Sequence, residues 1–462
     1  MQRRLLLPVA LCATLLPAQI PDFKPPTELL GAALRNDTTA MHQQLTAKAN
    51  PNEGRFFGWT ALTLAVIHGN LPMVRDLLAH GADSNLADGN GNTPLMWAAG
   101  AERPEAGMVE ELLQRGAAVG RANKYGETAM TWATRRGNME MLARLRAAGA
   151  SERGAVRQAA EKAIGLLQAS GPQFVKVSGC TSCHHQSLPQ MVYGAARRRG
   201  FAVNDEVSAG QVKAVMAMFR PIRAKLADGT ASLPNPGISV SYSLLGLEAE
   251  GYAPDETTAA MAAAILRTQR PDGSFAVLPA RPPLEASAFT STALSIRALR
   301  AYGEKAEESV QRGRRWLAAA RPGTNEDRAM RVLGLAWGDA PREETERAVR
   351  ELLAAQRPDG GWGQLDGLET DAYATGESLV ALRTAGVKAT DPAVARGMAY
   401  LLRTQMADGS WLVRTRSNPL QPMRESGFPH GRDQWISAAG TSWAALALTM
   451  TESEAMLTTE AR

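Results

Sequence analysis

Two cysteines and two histidines fall within six residues, Cys180-Thr-Ser-Cys183-His184-His185; the remaining cysteine of the chain is Cys12. Two thiols three positions apart and followed by an imidazole admit four kinds of chemistry. They can add to the two vinyl groups of a haem while the next histidine swings beneath the iron, as in c-type attachment. They can close a local Cys180–Cys183 disulfide that staples a turn. They can bind a metal together with His184 or His185, although four neighbouring residues wrap a tetrahedral ion poorly. They can cycle as a dithiol, for which a strand–helix setting is expected and is missing here. Haem c on Cys180, Cys183 and His184, with His184 on the iron, is the leading expectation. The sixth iron ligand is open between Met191, another methionine, His430 and none.

The compartment bears on that choice. Arg3 and Arg4 precede an apolar run from Leu5 to Leu16, and Leu16-Pro-Ala18 offers a cleavage point. This reads as a signal peptide over 1–18, too short to span a bilayer. Lipidation at Cys12 is the weaker option, because Leu11 stands where a small residue is wanted. Export to a periplasm or beyond is therefore expected, where haem c is attached and disulfides persist. No later stretch reads as a transmembrane span. The formal charge of +5 is spread along the chain and does not point to nucleic acid. Arg197-Arg198-Arg199 reads as a solvated helix end beside Gly200.

The elements that must position these residues are helices. Alanine, leucine and arginine dominate, and β-branched residues are sparse. After a proline-rich linker at 19–27, Gly58-Trp-Thr60-Ala61-Leu62 recurs as Gly91-Asn-Thr93-Pro94-Leu95 and Gly126-Glu-Thr128-Ala129-Met130. The threonines lie 33 and 35 residues apart. Each unit continues as helix, turn and helix, and ends in Gly-Ala at Gly81, Gly116 and Gly149. This resembles the ankyrin repeat over 28–150, with a degenerate first unit at 28–57. The resemblance implies a concave surface that binds a protein partner.

A longer period follows. Gln269-Arg-Pro-Asp-Gly273-Ser-Phe275, Gln356-Arg-Pro-Asp-Gly360-Gly-Trp362 and Gln405-Met-Ala-Asp-Gly409-Ser-Trp411 share Gln-x-x-x-Gly-x-aromatic. The helices behind these turns align on Thr292, Thr375 and Thr441. The glutamine is expected to bond free helix-end groups and the aromatic to pack between hairpins. These repeats resemble the α/α toroid of squalene–hopene cyclases and protein prenyltransferase β subunits, over 152–451, with a tail at 452–462. Six hairpins are expected, near 155–200, 207–251, 257–302, 305–338, 343–386 and 391–450. The fold class is all-α: an ankyrin solenoid followed by an α6/α6 toroid. Cys180–His185 then occupies the turn of the first hairpin.

The resemblance also implies chemistry, with departures. Hopene cyclases protonate an alkene with an Asp-x-Asp-Asp motif, which this chain lacks. The nearest acids are Asp366, Glu369 and Asp371, with Glu377 beyond. Asp371 and Glu377 fall on the aligned inner helix and are the candidate catalytic acids; acids enriched at a helix start are the plainer reading. Asp371 and His430 imitate two ligands of the prenyltransferase zinc site, without a nearby cysteine. Gly179-Cys180 lacks the glutamine that thioester domains on this toroid require. The expectation is thus an exported protein that binds a protein partner and a covalent haem for electron transfer or sensing, with a small apolar ligand in the toroid cavity. One alternative is an isoprenoid cyclase or transferase-like enzyme. The other is a structural interaction protein with a Cys180–Cys183 disulfide.

Overall fold

Thr60, Thr93 and Thr128 each end a loop by capping a helix. Their hydroxyls accept from the backbone N–H of Thr63, Met96 and Thr131 at 3.0, 3.3 and 3.3 Å. The computed structural model describes residues 25–102, 105–148, 153–233, 235–278, 281–418 and 424–452. The expected signal peptide with Cys12 lies outside the described residues, as do most of the linker and all but the first residue of the tail. Two compact units divide at Ala155/Val156.

The first unit stacks four helix pairs. They are α1 (Glu28–Leu34) with α2 (Thr38–Thr46), α3 (Ala61–Ile67) with α4 (Leu71–Ala79), α5 (Pro94–Ala99) with α6 (Ala106–Gln114), and α7 (Ala129–Arg135) with α8 (Met139–Ala147). First helices pack in one row and second helices in another. The core is made by the residues that follow each cap, among them Leu62, Leu95 and Met130. Asn52 and Asn85 stitch successive units by the same pair of bonds. Each amide donates to the next Gly-Ala turn, at Gly81 O and Gly116 O, and accepts from Asp83 N and Ala118 N.

The second unit is a closed ring. Its outer helices are α9 (Arg153–Ser178), α11 (Asp205–Phe219) continued by α12 (Arg223–Asp228), α14 (Glu256–Leu266), α16 (Glu307–Ala319), α18 (Arg342–Ala354) and α20 (Pro392–Thr404). Its inner helices are α10 (Leu188–Arg197), α13 (Pro236–Ala249), α15 (Ala288–Tyr302), α17 (Asn325–Trp337), α19 (Ala372–Thr384) and α21 (Gln434–Glu452). Each inner helix packs on the next, and α21 packs back on α10, which closes the circle. A two-residue antiparallel pair, β1 (Trp362–Gly363) with β2 (Thr370–Asp371), sits before α19.

The glutamine turns hold the ring by one repeated device. Gln269, Gln356 and Gln405 each donate to the glycine carbonyl of their own turn. Each also donates to a carbonyl of the next outer helix, at Ser309, Ala393 and Ala159. The partner is thus the neighbouring hairpin rather than the helix end that the sequence suggests. The last turn reaches the first outer helix, so the sequence ends of the unit are bonded together. The aromatic residues are buried, and their backbone N–H groups donate to Thr292, Thr375 and Thr441 at 3.0, 3.0 and 3.2 Å. Gly360 has φ +91°, and a β-carbon there would lie 2.7 Å from the Arg396 carbonyl oxygen, so both conformation and approach require glycine.

Candidate functional site

The ring interior carries polar groups that a core would not hold without cause. Glu377 stands on α19, at a position where α15 has Leu294 and α21 has Trp443. Glu326 stands in the first turn of α17, two residues past its cap Thr324; the same offset holds Phe289 on α15 and Tyr373 on α19. Both carboxyls are buried, and they are close enough for each to shift the proton affinity of the other. Glu326 accepts from the Thr290 hydroxyl at 3.0 Å. Neither oxygen of Glu377, nor the second oxygen of Glu326, receives a well-directed donor.

Two ionised carboxylates so placed would pay for desolvation and for mutual repulsion. Burial first, and then the charge of Glu326, raises the affinity of Glu377 for its proton well above the carboxylate norm. Burial raises that of Glu326 as well. Asp371 and Asp327 add further negative charge around Glu377. The pair therefore holds proton in common and titrates as a unit. Tyr373 reaches Glu326 and Trp443, and Tyr242 reaches Tyr373. The hydroxyls of both tyrosines and the indole Nε1 of Trp443 are buried without a well-directed partner. The acids and these aromatic side chains are thus buried close together.

A cavity of about 340 Å³ opens at the C-terminal ends of the inner helices. Its apolar wall includes Leu245, Val380 and Leu446. These lie three residues beyond Tyr242, Glu377 and Trp443, a rise of about 4.5 Å along their helices. Its rim carries Arg198 and Arg199, with Arg297 held by two bonds to Glu248 at 2.8 and 2.7 Å. Arg199 is desolvated and feels the like charges of Arg198 and Arg383, which lowers its pKa. The helix end that reads as solvated in the sequence is thus, at Arg198 and Arg199, part of a cavity rim.

Asp371 differs from its sequence assignment. It precedes α19 as the cap, with Oδ1 accepting from Ala374 N and Oδ2 from Gln364 Nε2, both at 2.9 Å. Burial raises its pKa to about 6 against these bonds. It acts on Glu377 through its charge. Glu326 has no counterpart in the sequence reading. Between Asn325 and Asp327 it looks like a helix start rich in acids, and what marks it is the aromatic position it replaces.

The Cys/His turn joins α9 to α10. Cys180 is exposed, Cys183 is half-buried, and both thiols are free. Burial first, and then the Glu285 carboxylate, pushes the Cys183 thiol up to about 12. Cys183–Ser187 forms a π-type turn capped by Ser182, a local form often found at functional sites. Gln186 donates to Gly171 O at 2.9 Å, and a β-carbon at Gly171 would lie 3.0 Å from His185 O. His184 and His185 are buried among Phe174, Phe428 and Trp435, with Phe174 stacked on His185 at 4.6 Å. Burial lowers both imidazole pKa values, that of His185 to about 3. His430 binds Ser410 Oγ through Nε2 at 2.8 Å. Among the described residues no cluster of three or more His, Cys, Asp or Glu could hold a metal ion, so Asp371 and His430 form no part of one. No described helix is long and apolar enough to cross a membrane.

Residues 29–117 match ankyrin repeats, in three copies. Residues 328–404 match the squalene-hopene cyclase N-terminal domain. The chain is 28% identical over 237 residues to a drimenyl diphosphate synthase of Streptantibioticus cattleyicolor, covering 42% of each protein. It is 32% identical over 182 residues to a drimenyl diphosphate synthase of Streptomyces showdoensis, covering 35% of this chain and 34% of that protein. The chain thus spans less than half the length of these relatives. It is an all-α protein that joins ankyrin repeats to a cyclase-like toroid.

Proposed function

We propose that the toroid is an isoprenoid cyclase-type catalyst, in which the Glu326–Glu377 pair delivers a proton to a carbon–carbon double bond. The carrying observation is the carboxyl pair buried with Tyr242, Tyr373 and Trp443. The carboxyl O–H bond breaks, and the proton forms a C–H bond with one alkene carbon, leaving the other cationic. From the doubly protonated state, the pair keeps one proton to share, so the new carboxylate is not left alone. Aromatic faces stabilise the cation as it moves. Ring closure and loss of a proton back to the pair complete an isomerisation with no redox change.

Leu245, Val380 and Leu446 suit an apolar chain, and Arg198 with Arg199 suits an anionic end. The names of the relatives, which make a diphosphate, favour a prenyl diphosphate over squalene. The test is incubation of the full chain with farnesyl diphosphate, geranylgeranyl diphosphate and squalene, with products read by mass spectrometry. A cyclic product that retains diphosphate is expected, with Glu377→Gln and Glu326→Gln lowering kcat by roughly 100-fold or more. Arg198→Ala with Arg199→Ala should raise KM. No turnover by the wild type, or full turnover by Glu377→Gln, removes this reading.

For the first unit we propose protein binding, as the repeats suggest. Phe57 and Tyr125 are 75% and 63% exposed at turns between units. Phe57→Ala with Tyr125→Ala should leave thermal stability unchanged and abolish association with a protein retained by the wild type from the native extract.

A further inference from the structure

The proposed acid site makes no use of the two free thiols or of the histidines beside them. Their hydrogen bonds fix where the protons are. The Ser426 backbone N–H donates to Gln434 Oε1 at 2.9 Å, which identifies that atom as the amide oxygen. The Ser426 hydroxyl lies 2.7 Å from the same oxygen and must spend its one proton there. Ser426 Oγ therefore accepts from His185 Nε2–H, 2.8 Å away. A neutral His185 has no second proton, so its Nδ1 accepts from His184 Nδ1–H across 2.5 Å. A doubly protonated His185 would bury an uncompensated charge. His184 is left with its proton on Nδ1 and a bare lone pair on Nε2.

That is the form in which histidine binds iron, with the other ring N–H held by an acceptor that sets tautomer and orientation. The same turn carries the two thiols at the spacing that reaches both vinyl groups of one porphyrin. We propose that Cys180, Cys183 and His184 form a covalent c-type haem site, with His184 Nε2 as an axial ligand and His185, Ser426 and Gln434 as positioning residues. In the attachment step each thiol S–H adds across one vinyl group of haem b. A carbon–sulfur bond forms, the vinyl double bond becomes single, and the thiol proton ends on the other vinyl carbon, so no oxidant or reductant is consumed. His184 lies against Phe174 and Trp435 at 5.4 and 5.9 Å between ring centres, an aromatic surround for the ligand.

The test is expression of the full chain, exported, in cells that attach haem c to a control cytochrome. Intact mass under denaturing conditions and a pyridine haemochrome spectrum are then recorded. The expected result is a mass gain of one haem per chain, lost in Cys180→Ala with Cys183→Ala. His184→Ala should keep the covalent haem and lose the histidine–iron signature. Ser426→Ala should keep the haem and shift its reduction potential in a chain that still folds. A folded wild type without haem beside a loaded control overturns the site. Retention of haem by the double cysteine variant does the same. A His184→Ala spectrum identical to wild type overturns the axial assignment, and a Ser426→Ala potential equal to wild type overturns the positioning role.

Discussion

Glu326 and Glu377 tie stability to pH in a direction opposite to that of ordinary surface carboxylates. Their proton affinities are raised in the folded chain, so the folded state binds more protons than the unfolded state once pH exceeds the carboxylate norm. Their contribution is fully present below that norm and is lost as pH rises through the folded values. Asp371, raised to about 6, has the same sign. His184 and His185 have the opposite sign, since burial lowers them, and their contribution grows up to the ordinary value of 6.5. Above pH 6.5, and below the range in which the Cys183 thiol and the buried tyrosines begin to titrate, the histidines are neutral in both states and the carboxyls remain. Wild-type stability in urea should fall with pH there, and Glu326→Gln should flatten the slope. Turnover should fall over the same range as the pair loses its first proton. Asp371→Asn keeps the cap and removes the charge, so it should lower the proton affinity of Glu377 and move the fall in turnover to lower pH; equal pH profiles would remove that coupling.

At the scale of elements, the device most open to test is the threonine behind each aromatic turn. Thr375 is buried, and its hydroxyl accepts from the backbone N–H of Trp362. Thr375→Val keeps the shape and leaves that N–H unpaired, so a loss of roughly 1–3 kcal/mol is expected in urea unfolding. Thr292→Val and Thr441→Val should behave alike if the repeats are equivalent. The hairpins were legible in the sequence because these turns recur with the same residue types, and the ankyrin units because Thr60, Thr93 and Thr128 recur in register. Glu377 was legible as an acid on an inner helix. Glu326 was not, because its role depends on a helix that is distant in sequence but adjacent in space. Asp371 was legible as an acid but misplaced, since a cap and a first helical residue look alike in sequence. Arg198 and Arg199 carry no periodic mark, and a cavity rim is made by helices that meet through the ring.

At the scale of the whole molecule, each unit has its own core, and the second depends on closure. α21 covers faces of both α19 and α10. A chain ending at residue 433 should therefore lose cooperative unfolding of the toroid while the ankyrin unit, read by its own transition, keeps its midpoint. A toroid transition that survives this truncation would show that closure is not required. Closure also has a direction in time. His185 is bonded to Ser426, 241 residues later, and Ala159 to Gln405, 246 residues later. During synthesis the first turn emerges long before the groups that cover it. Contacts so distant in sequence form late. His184 and His185, buried in the finished ring, therefore pass through an interval in which they are reachable by large reactants, and the arrival of the C-terminal segment ends it. The ring works as a clock for its own first turn: the two imidazoles stay open until the last segment docks, while Cys180 remains exposed afterwards.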